Sequence, residues 1–290
     1  MNAVAFPTVT IRASSLTSYM DCPRRAAANM FRREVEDAGY TLNRLVNGIA
    51  SAIGTGVHAG AAISLEEKAR SGALPPLSVA TDAAMDSLKE RVAEGVTFET
   101  RGTAQNQTHA ETHVLRMTEA YHRVVAPTVE PVIVETRLEA EVAPGIILSG
   151  QADVIAREPG KVRDLKTSTK VGKTHNPQIG AYSLLARSAG IDVTGAQIDL
   201  IVRTSLKNPQ PDPVSTGFAI ETVENAASNV LRHIQGDLHV FRHGDPEQRV
   251  LPGDAWAFPA NPSSMLCGPK YCSAWGTAFC AEHAKTEESE

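Results

Sequence analysis

Two acids and an amine, Asp153, Asp164 and Lys166, form the sharpest chemical constellation in this 290-residue chain. The segments around them, ILSGQADVIAR and KVRDLKTS, alternate apolar and polar residues and are divided by Pro159-Gly160, the pattern of a β-hairpin. A two-residue turn there places Asp153 opposite Lys166 and Ile155 opposite Asp164. Directly opposed residues share a face while side chains alternate along a strand, so both carboxylates and the amine project together. A four-residue turn keeps the three on one face; a three-residue turn does not. As diagonal neighbours, the acids have β-carbons about 7 Å apart, within reach of a shared cation. Oxygen ligands favour Mg2+ or Mn2+. Such an ion beside an ammonium group suits phosphodiester hydrolysis, because it acidifies a bound water and offsets charge on the phosphorane while the amine steadies the attacking hydroxide. The same pattern also occurs as a surface salt bridge on a hairpin, so the surrounding sequence has to decide.

The four cysteines are a second constellation: Cys22 stands alone, and Cys267, Cys272 and Cys280 crowd together. In a reducing compartment a disulfide framework is not expected, which leaves buried thiols, zinc or an iron-sulfur cluster. Cys267, Cys272, Cys280 and His283 also make a self-contained zinc set, with Cys22 a plain thiol.

Around these residues, Ser14 or Ser15 caps a helix through Leu16, Tyr19 and Met20, and Pro23 kinks it or opens a second helix to Met30. Residues 41 to 125 read as helical, with IASAIGTGVHAGAAISLEEKAR and TDAAMDSLKERVAEG parted by SGALPPLS. PVIVETRLEAEV then opens an antiparallel meander with a turn at Pro144-Gly145. Asn176-Pro177 starts the helix QIGAYSLLARSA, Gly190 stops it, AQIDLIVRTS is a strand and GFAIETV another, and ENAASNVLRHIQGDLHVF is a helix. The expected divisions are 1–40, a helical segment with the first cysteine; 41–125, a helical region; 126–230, the α/β core; and 231–290, a helix and the cysteine segment.

Composition excludes whole classes. With 42% hydrophobic and 21% charged residues the chain collapses, and 21 Gly and 17 Pro are too few for a fibrous or low-complexity protein. No run approaches a membrane span and the start lacks a secretory pattern, so a cytoplasmic protein without a membrane partner is expected. A net charge of -5 argues against a histone-like partner, although Lys161, Arg163, Lys166, Lys170 and Lys173 face only Asp164 in their stretch. Arg24, Arg25, Lys170 and Lys173 are candidate phosphate contacts, with Arg32 and Arg33 nearby. Gly54, Gly56 and Ala59 fit a loose dinucleotide fingerprint, but a helical run precedes them where a strand is required.

Several separate blocks together carry a resemblance: Cys22-Pro23-Arg24-Arg25, Gly54-Thr55-Gly56-Val57-His58, Gly150-Gln151-Ala152-Asp153, Asp164-Leu165-Lys166-Thr167, Gln178 through Tyr182, and the terminal cysteines. In order and rough spacing the chain resembles the RecB-type nucleases of the PD-(D/E)xK superfamily, in the iron-sulfur branch that includes CRISPR-associated exonucleases. The resemblance implies a restriction-endonuclease-like mixed sheet flanked by helices, with a helical insertion and an iron-sulfur cap. It implies that His58, Asp153, Asp164 and the Leu165 carbonyl ligate Mg2+ or Mn2+, with Lys166 catalytic and Glu135 an additional acid. Gln178 and Tyr182, at i and i+4 on one helical face, then border the site and position DNA. The four cysteines then hold a structural 4Fe-4S cluster, with Zn2+ the alternative because the gaps after Cys267 and Cys272 exceed the tight family spacing. The implied activity is a DNA exonuclease acting at single-stranded ends, in phage or bacterial recombination-repair or in CRISPR adaptation, with a protein partner from one of those settings. A nuclease-fold binding protein with an inactive site is the competing reading.

Overall fold

The alternating stretch between 131 and 168 resolves into five strands, and the computed structural model, which describes residues 8–157, 160–169 and 176–280, divides them between two sheets. β1 (Val9–Arg12), β3 (Arg137–Ala143) and β4 (Ile146–Gln151) form a three-stranded sheet in the order β1-β4-β3. β2 (Pro131–Val134), β5 (Val154–Ala156), β6 (Lys161–Ser168), β7 (Gly195–Val202) and β8 (Val214–Phe218) form a five-stranded sheet in that order. Among the strands of the described residues, only β1 with β4 and β6 with β7 run parallel. The expected single meander is therefore a correction. Its chain leaves one sheet for the other at Glu135-Thr136 and returns at Ala152-Asp153, because neither pair of residues continues a ladder. Glu135 takes a φ of 43°, a left-handed conformation that a non-glycine residue adopts at a conformational cost. Its N–H donates to the Asp153 carbonyl, 3.2 Å away, so the two crossing points are stitched together.

The hairpin register also differs from expectation. Val154 pairs with Arg163 and Ala156 with Lys161, so four residues connect β5 to β6 rather than the two at Pro159-Gly160. Glu158 and Pro159 lie outside the described residues. The ladder stops at Val154, and Asp153 reaches β6 through its side chain, whose Oδ2 accepts from the Leu165 N–H.

The five-stranded sheet separates two cores. Ile155, Val162, Ala196 and Ile198 pack toward α7 (Asn176–Ser188) and α8 (Ile220–His243), together with Ile11, Leu16, Phe258 and Phe279. Val154, Leu165 and Ile201 pack toward α4 (Ile49–Ser71), α5 (Leu77–Ala93) and α6 (Gln107–Ala120). These three helices lie within the stretch 41–125 expected to be helical, whose residues 41–48 and 95–106 are not helical. A buried Arg163 spans the second face and makes a two-pronged ion pair with Asp199, at 2.8 and 2.9 Å, which removes it from any basic surface. The expected strand GFAIETV is split: Gly217 and Phe218 end β8, and α8 begins at Ile220. α8 also runs across the expected boundary at 230.

Pro23 does open a new helix. α1 (Leu16–Asp21) ends at Cys22, and α2 (Pro23–Met30) and α3 (Arg32–Asp37) follow. These short helices and the chain after them pack against residues 255–280, with Phe31, between α2 and α3, stacked on Phe258 and Asn43, beyond α3, donating its Nδ2 to the Trp275 carbonyl. Fully burying a side chain such as Phe258 or Phe279 contributes about 1.5–3 kcal/mol. Among the described residues no helix is long and apolar enough to cross a membrane.

Candidate active site

Both sheet crossings open into one cleft of about 630 Å3, whose walls include Gly54, His58, Glu135, Gln151, Asp153 and Thr167. α4 forms one wall and approaches β6 closely: a methyl added at Gly54 would sit 2.9 Å from Thr167 Oγ1, so glycine sets the width between helix and sheet. His58 projects one turn further along α4. Its Nδ1 lies 2.9 Å from Asp153 Oδ1 and 3.9 Å from Glu135 Oε1. One ligand atom from each of His58, Glu135 and Asp153 falls within 4.8 Å of the others, a nitrogen-and-oxygen donor set suited to a hard divalent cation. Gln151 Nε2 donates to Glu135 Oε2 at 2.6 Å and the Leu165 N–H donates to Asp153 Oδ2, so both carboxylates are held in place.

On the adjacent strand Lys166 Nζ lies 2.7 Å from Asp164 Oδ2. α7 reaches over this pair. Lys166 donates to Gln178 Oε1 at 3.1 Å, and Gln178 Nε2 donates to the Tyr182 hydroxyl at 3.0 Å and, more weakly, to Asp164 Oδ1 at 3.4 Å. The i, i+4 spacing of Gln178 and Tyr182 thus sets both on the face of α7 that meets β6. α7 itself sits close on α8, where a methyl at Gly180 would fall 1.9 Å from the Val223 carbonyl oxygen.

Electrostatics divide the two acids. Burial alone would push the Asp153 carboxyl up, but His58, Lys166 and the Leu165 N–H outweigh it and hold it below the ordinary carboxylate range. Burial dominates at Asp164, only 2% exposed, and with the Asp153 charge beside it the carboxyl is pushed up to about 6 despite Lys166. Burial opposes the His58 imidazolium, yet Asp153 and Glu135 raise it to about 10. An ionised acid and a cationic imidazole line the cleft, and an acid titrating near neutrality lies buried within reach of their charges, the pattern of a site built for proton handling or a metal.

The cysteines converge elsewhere. Cys22, Cys267, Cys272 and Cys280, all free, line one pocket between α2 and the 260–280 segment, with Arg25 at its edge. Asn261 N–H approaches Cys22 Sγ at 3.4 Å. Burial pushes the Cys280 thiol up to about 11 and raises Cys272, while Arg24 and Arg25 respectively act in the opposite direction.

Two expected DNA contacts need correction. Arg24 is 2% and Arg25 5% exposed: Arg24 Nε donates to the Phe258 carbonyl and its guanidinium lies over the Trp256 ring, while Arg25 binds Asp21 and Ser264. A guanidinium enclosed in this way does not reach a DNA backbone. Arg32 is likewise engaged, by Glu36 and the Asn43 carbonyl. Lys170, Lys173 and His283 lie outside the described residues. Gln151 and Thr167, which line the cleft, were legible only as members of motif blocks, and the enclosed Arg163–Asp199 pair carried no pattern signal at all.

The family model described as the PD-(D/E)XK nuclease superfamily matches residues 10–276. No curated protein matches the chain. Among solved structures, the chain is similar to a protein from Eubacterium rectale assigned provisionally as an exonuclease, 11% identical over 78% of this chain and 81% of that one, with a TM-score of 0.49. It is also similar to LHK-Exo in complex with dAMP, 11% identical over 67% of this chain and 97% of that one, TM-score 0.28. A phage-related exonuclease from Haemophilus somnus is 13% identical over 68% and 96%, TM-score 0.24.

Proposed function

The chain belongs to the PD-(D/E)XK nuclease superfamily, and from that premise we propose that it is a metal-dependent DNA exonuclease of the RecB type, acting at single-stranded ends. The observation that supports this most is the grouping of His58, Glu135 and Asp153 in the cleft, with the Asp164–Lys166 pair on β6 close enough for its charges to act on Asp153. A nuclease fold implies a nucleic-acid substrate; the preference for single-stranded DNA follows from the family resemblance of the motif blocks.

His58, Glu135 and Asp153, with Asp164 and the Leu165 carbonyl, would hold Mg2+ or Mn2+. The donor set fits, since hard oxygen and imidazole nitrogen ligands stand close together and Asp164 Oδ2 is buried without a well-directed hydrogen bond. The ion when bound supplies an acidified water and a counter-charge for the phosphorane. The remaining work falls to the protein's own groups. Lys166 orients the attacking oxygen and donates toward the charged phosphoryl oxygen. Gln178 keeps its ammonium aimed, and Tyr182 keeps the Gln178 amide turned so that its oxygen accepts from Lys166. Water gives the incoming oxygen, the P–O bond to the leaving nucleotide breaks, and no covalent intermediate with the protein forms.

At the second site the four cysteines would hold a 4Fe-4S cluster, supported by their convergence on one pocket. As four thiolates accumulate charge, Arg24 and Arg25 offset it, the role their burial gives them in place of DNA contact. A recombination-repair or CRISPR-adaptation setting is the biological context proposed.

The test incubates the full chain with end-labelled single-stranded DNA and Mn2+. Release of labelled mononucleotide by wild type, lost in Lys166→Ala and on chelation, supports the enzyme. DNA retained but uncut by wild type overturns it in favour of a binding module.

A further inference from the structure

β6 and β7 are the parallel pair at the centre of the large sheet, and their carboxyl ends open on a second cavity of about 220 Å3. Thr167, Ser168 and Thr169 line it from β6 and the residue after it, and Arg203 lines it from the residue after β7. Ala50 and Thr167 border both this cavity and the catalytic cleft, so the two are adjoining compartments of one trough. Ligands of open α/β sheets settle at the carboxyl ends of parallel strands.

Arg203 is 7% exposed and tightly placed. Its backbone N–H donates to the Ser168 carbonyl at 2.7 Å, and its Nη2 donates to Glu99 Oε1 at 2.5 Å. Glu99 Oε2 accepts from the Thr103 and Ala104 N–H groups, which fixes the carboxylate and, through it, the plane of the guanidinium. Nη1 is buried with no hydrogen-bond partner among the described residues. A buried guanidinium nitrogen is costly to leave unpartnered, so a ligand that satisfies it is favoured. Three hydroxyl-bearing side chains stand on the same cavity, and a guanidinium fork with hydroxyl donors is the chemistry that recognises phosphate oxygens.

We infer that Arg203, with Thr167 and Thr169, forms a phosphate subsite that grips a backbone phosphate of the substrate strand beyond the scissile one. Lys166 lies on the same strand as Thr167, and a rise of about 3.3 Å per residue sets Thr169 about 10 Å past it, in line for a neighbouring phosphate. Because Glu99 nearly cancels the guanidinium charge, selectivity comes from directed hydrogen bonds, and Arg203 is a binding residue rather than a catalytic one. The inference rests on the nuclease reading for the identity of its ligand.

Single-stranded oligonucleotides with one neutral methylphosphonate linkage, moved position by position, are titrated onto the metal-free full chain by fluorescence anisotropy. In wild type one linkage other than the scissile one is expected to weaken binding about ten- to hundred-fold. Arg203→Lys loses that positional sensitivity. Thr169→Val, at an exposed position, reduces it and serves if the arginine variant does not fold. A second arm uses inorganic phosphate and thymidine 5′-monophosphate, expected to raise the Tm of wild type and not of Arg203→Lys. Comparing 5′-phosphorylated with unphosphorylated strands separates a terminal phosphate from an internal one. Identical position profiles in wild type and both variants, or a phosphate shift indifferent to Arg203, overturn the inference. Arg203-dependent phosphate binding in a protein that never cleaves DNA would sink only the exonuclease reading.

Discussion

His58 Nδ1 lies 2.9 Å from Asp153 Oδ1, joining a long helix to the point where the chain changes sheets. In the metal-free protein this is an ion pair, because Asp153 and Glu135 overcome the burial that disfavours the imidazolium and raise it to about 10. A divalent cation at these groups must displace that proton. Calorimetry in buffers of different ionisation enthalpy is therefore expected to show about one proton released per Mn2+ between pH 7 and 9, with affinity rising about tenfold per pH unit. Proton-independent binding would place the ion away from His58. The stability contributed by the pair in the metal-free form has the matching sign. A raised pKa makes the contribution complete below the unfolded histidine value of about 6.5, and it is lost as pH climbs toward 10.

Asp164 is enclosed, and burial already lifts its carboxyl to about 6 against the pull of Lys166. Removing the amine in Lys166→Ala is expected to lift it further and to lower kcat by at least about 10^2–10^3-fold, with Tm changed little because Lys166 is partly exposed. Asp164→Asn is expected to abolish cleavage with the fold retained, as the amide keeps the shape and sheds a buried charge. Activity within a few-fold of wild type in either variant would remove that residue from the chemistry.

Gly180 touches the Val223 carbonyl region so closely that Gly180→Ala forces α7 off α8. The expected destabilisation is about 3 kcal/mol, read as a lower urea midpoint, with activity falling more than stability because Gln178 and Tyr182 ride on α7. Unchanged stability would mean the two helices part without penalty.

Glu99 is held below its ordinary range. Burial pushes the other way, but the Ala104 and Thr103 N–H groups and Arg203 prevail. A depressed pKa stabilises above the unfolded value of about 4.3 and ceases to do so as pH falls through the folded one. Glu99→Gln is thus expected to cost about 1–2 kcal/mol at pH 7, with the gap to wild type narrowing below pH ~4, as denaturant titrations at stepped pH would show. A gap independent of pH would indicate that the charge plays no part.

Cys22 is buried beside three other cysteines that lie far along the chain. For aerobically or anaerobically purified protein, Cys22→Ala is expected to lose bound iron and brown colour together with several degrees of Tm. Iron content equal to wild type would take Cys22 out of the ligand set, and zinc in place of iron would replace the cluster.

Much of the site was legible in the chain because hairpin parity depends only on whether the turn is even or odd. The alternation along β6 sets Asp164 and Lys166 on one face even though the turn is two residues longer than the Pro159-Gly160 signal implied, while Asp153 joins them from outside the ladder. The exchange of sheets at Glu135 and Asp153 was not legible, since short alternating segments look alike whether or not they stay in one ladder. Arg24 and Arg25 show the other limit. An arginine written beside a cysteine reads as surface charge, and only the fold reveals that Phe258, Asp21 and Ser264 enclose it.

Arg24 is bonded to Phe258, 234 residues further along, and β1 finds its partner only in β4. During translation the opening helices must therefore wait, their apolar faces uncovered, until the segment around Phe258 leaves the ribosome. The residues of the candidate site, from His58 to Tyr182, leave it earlier, but β6 still waits for β7 and α7 for α8 before the site is framed.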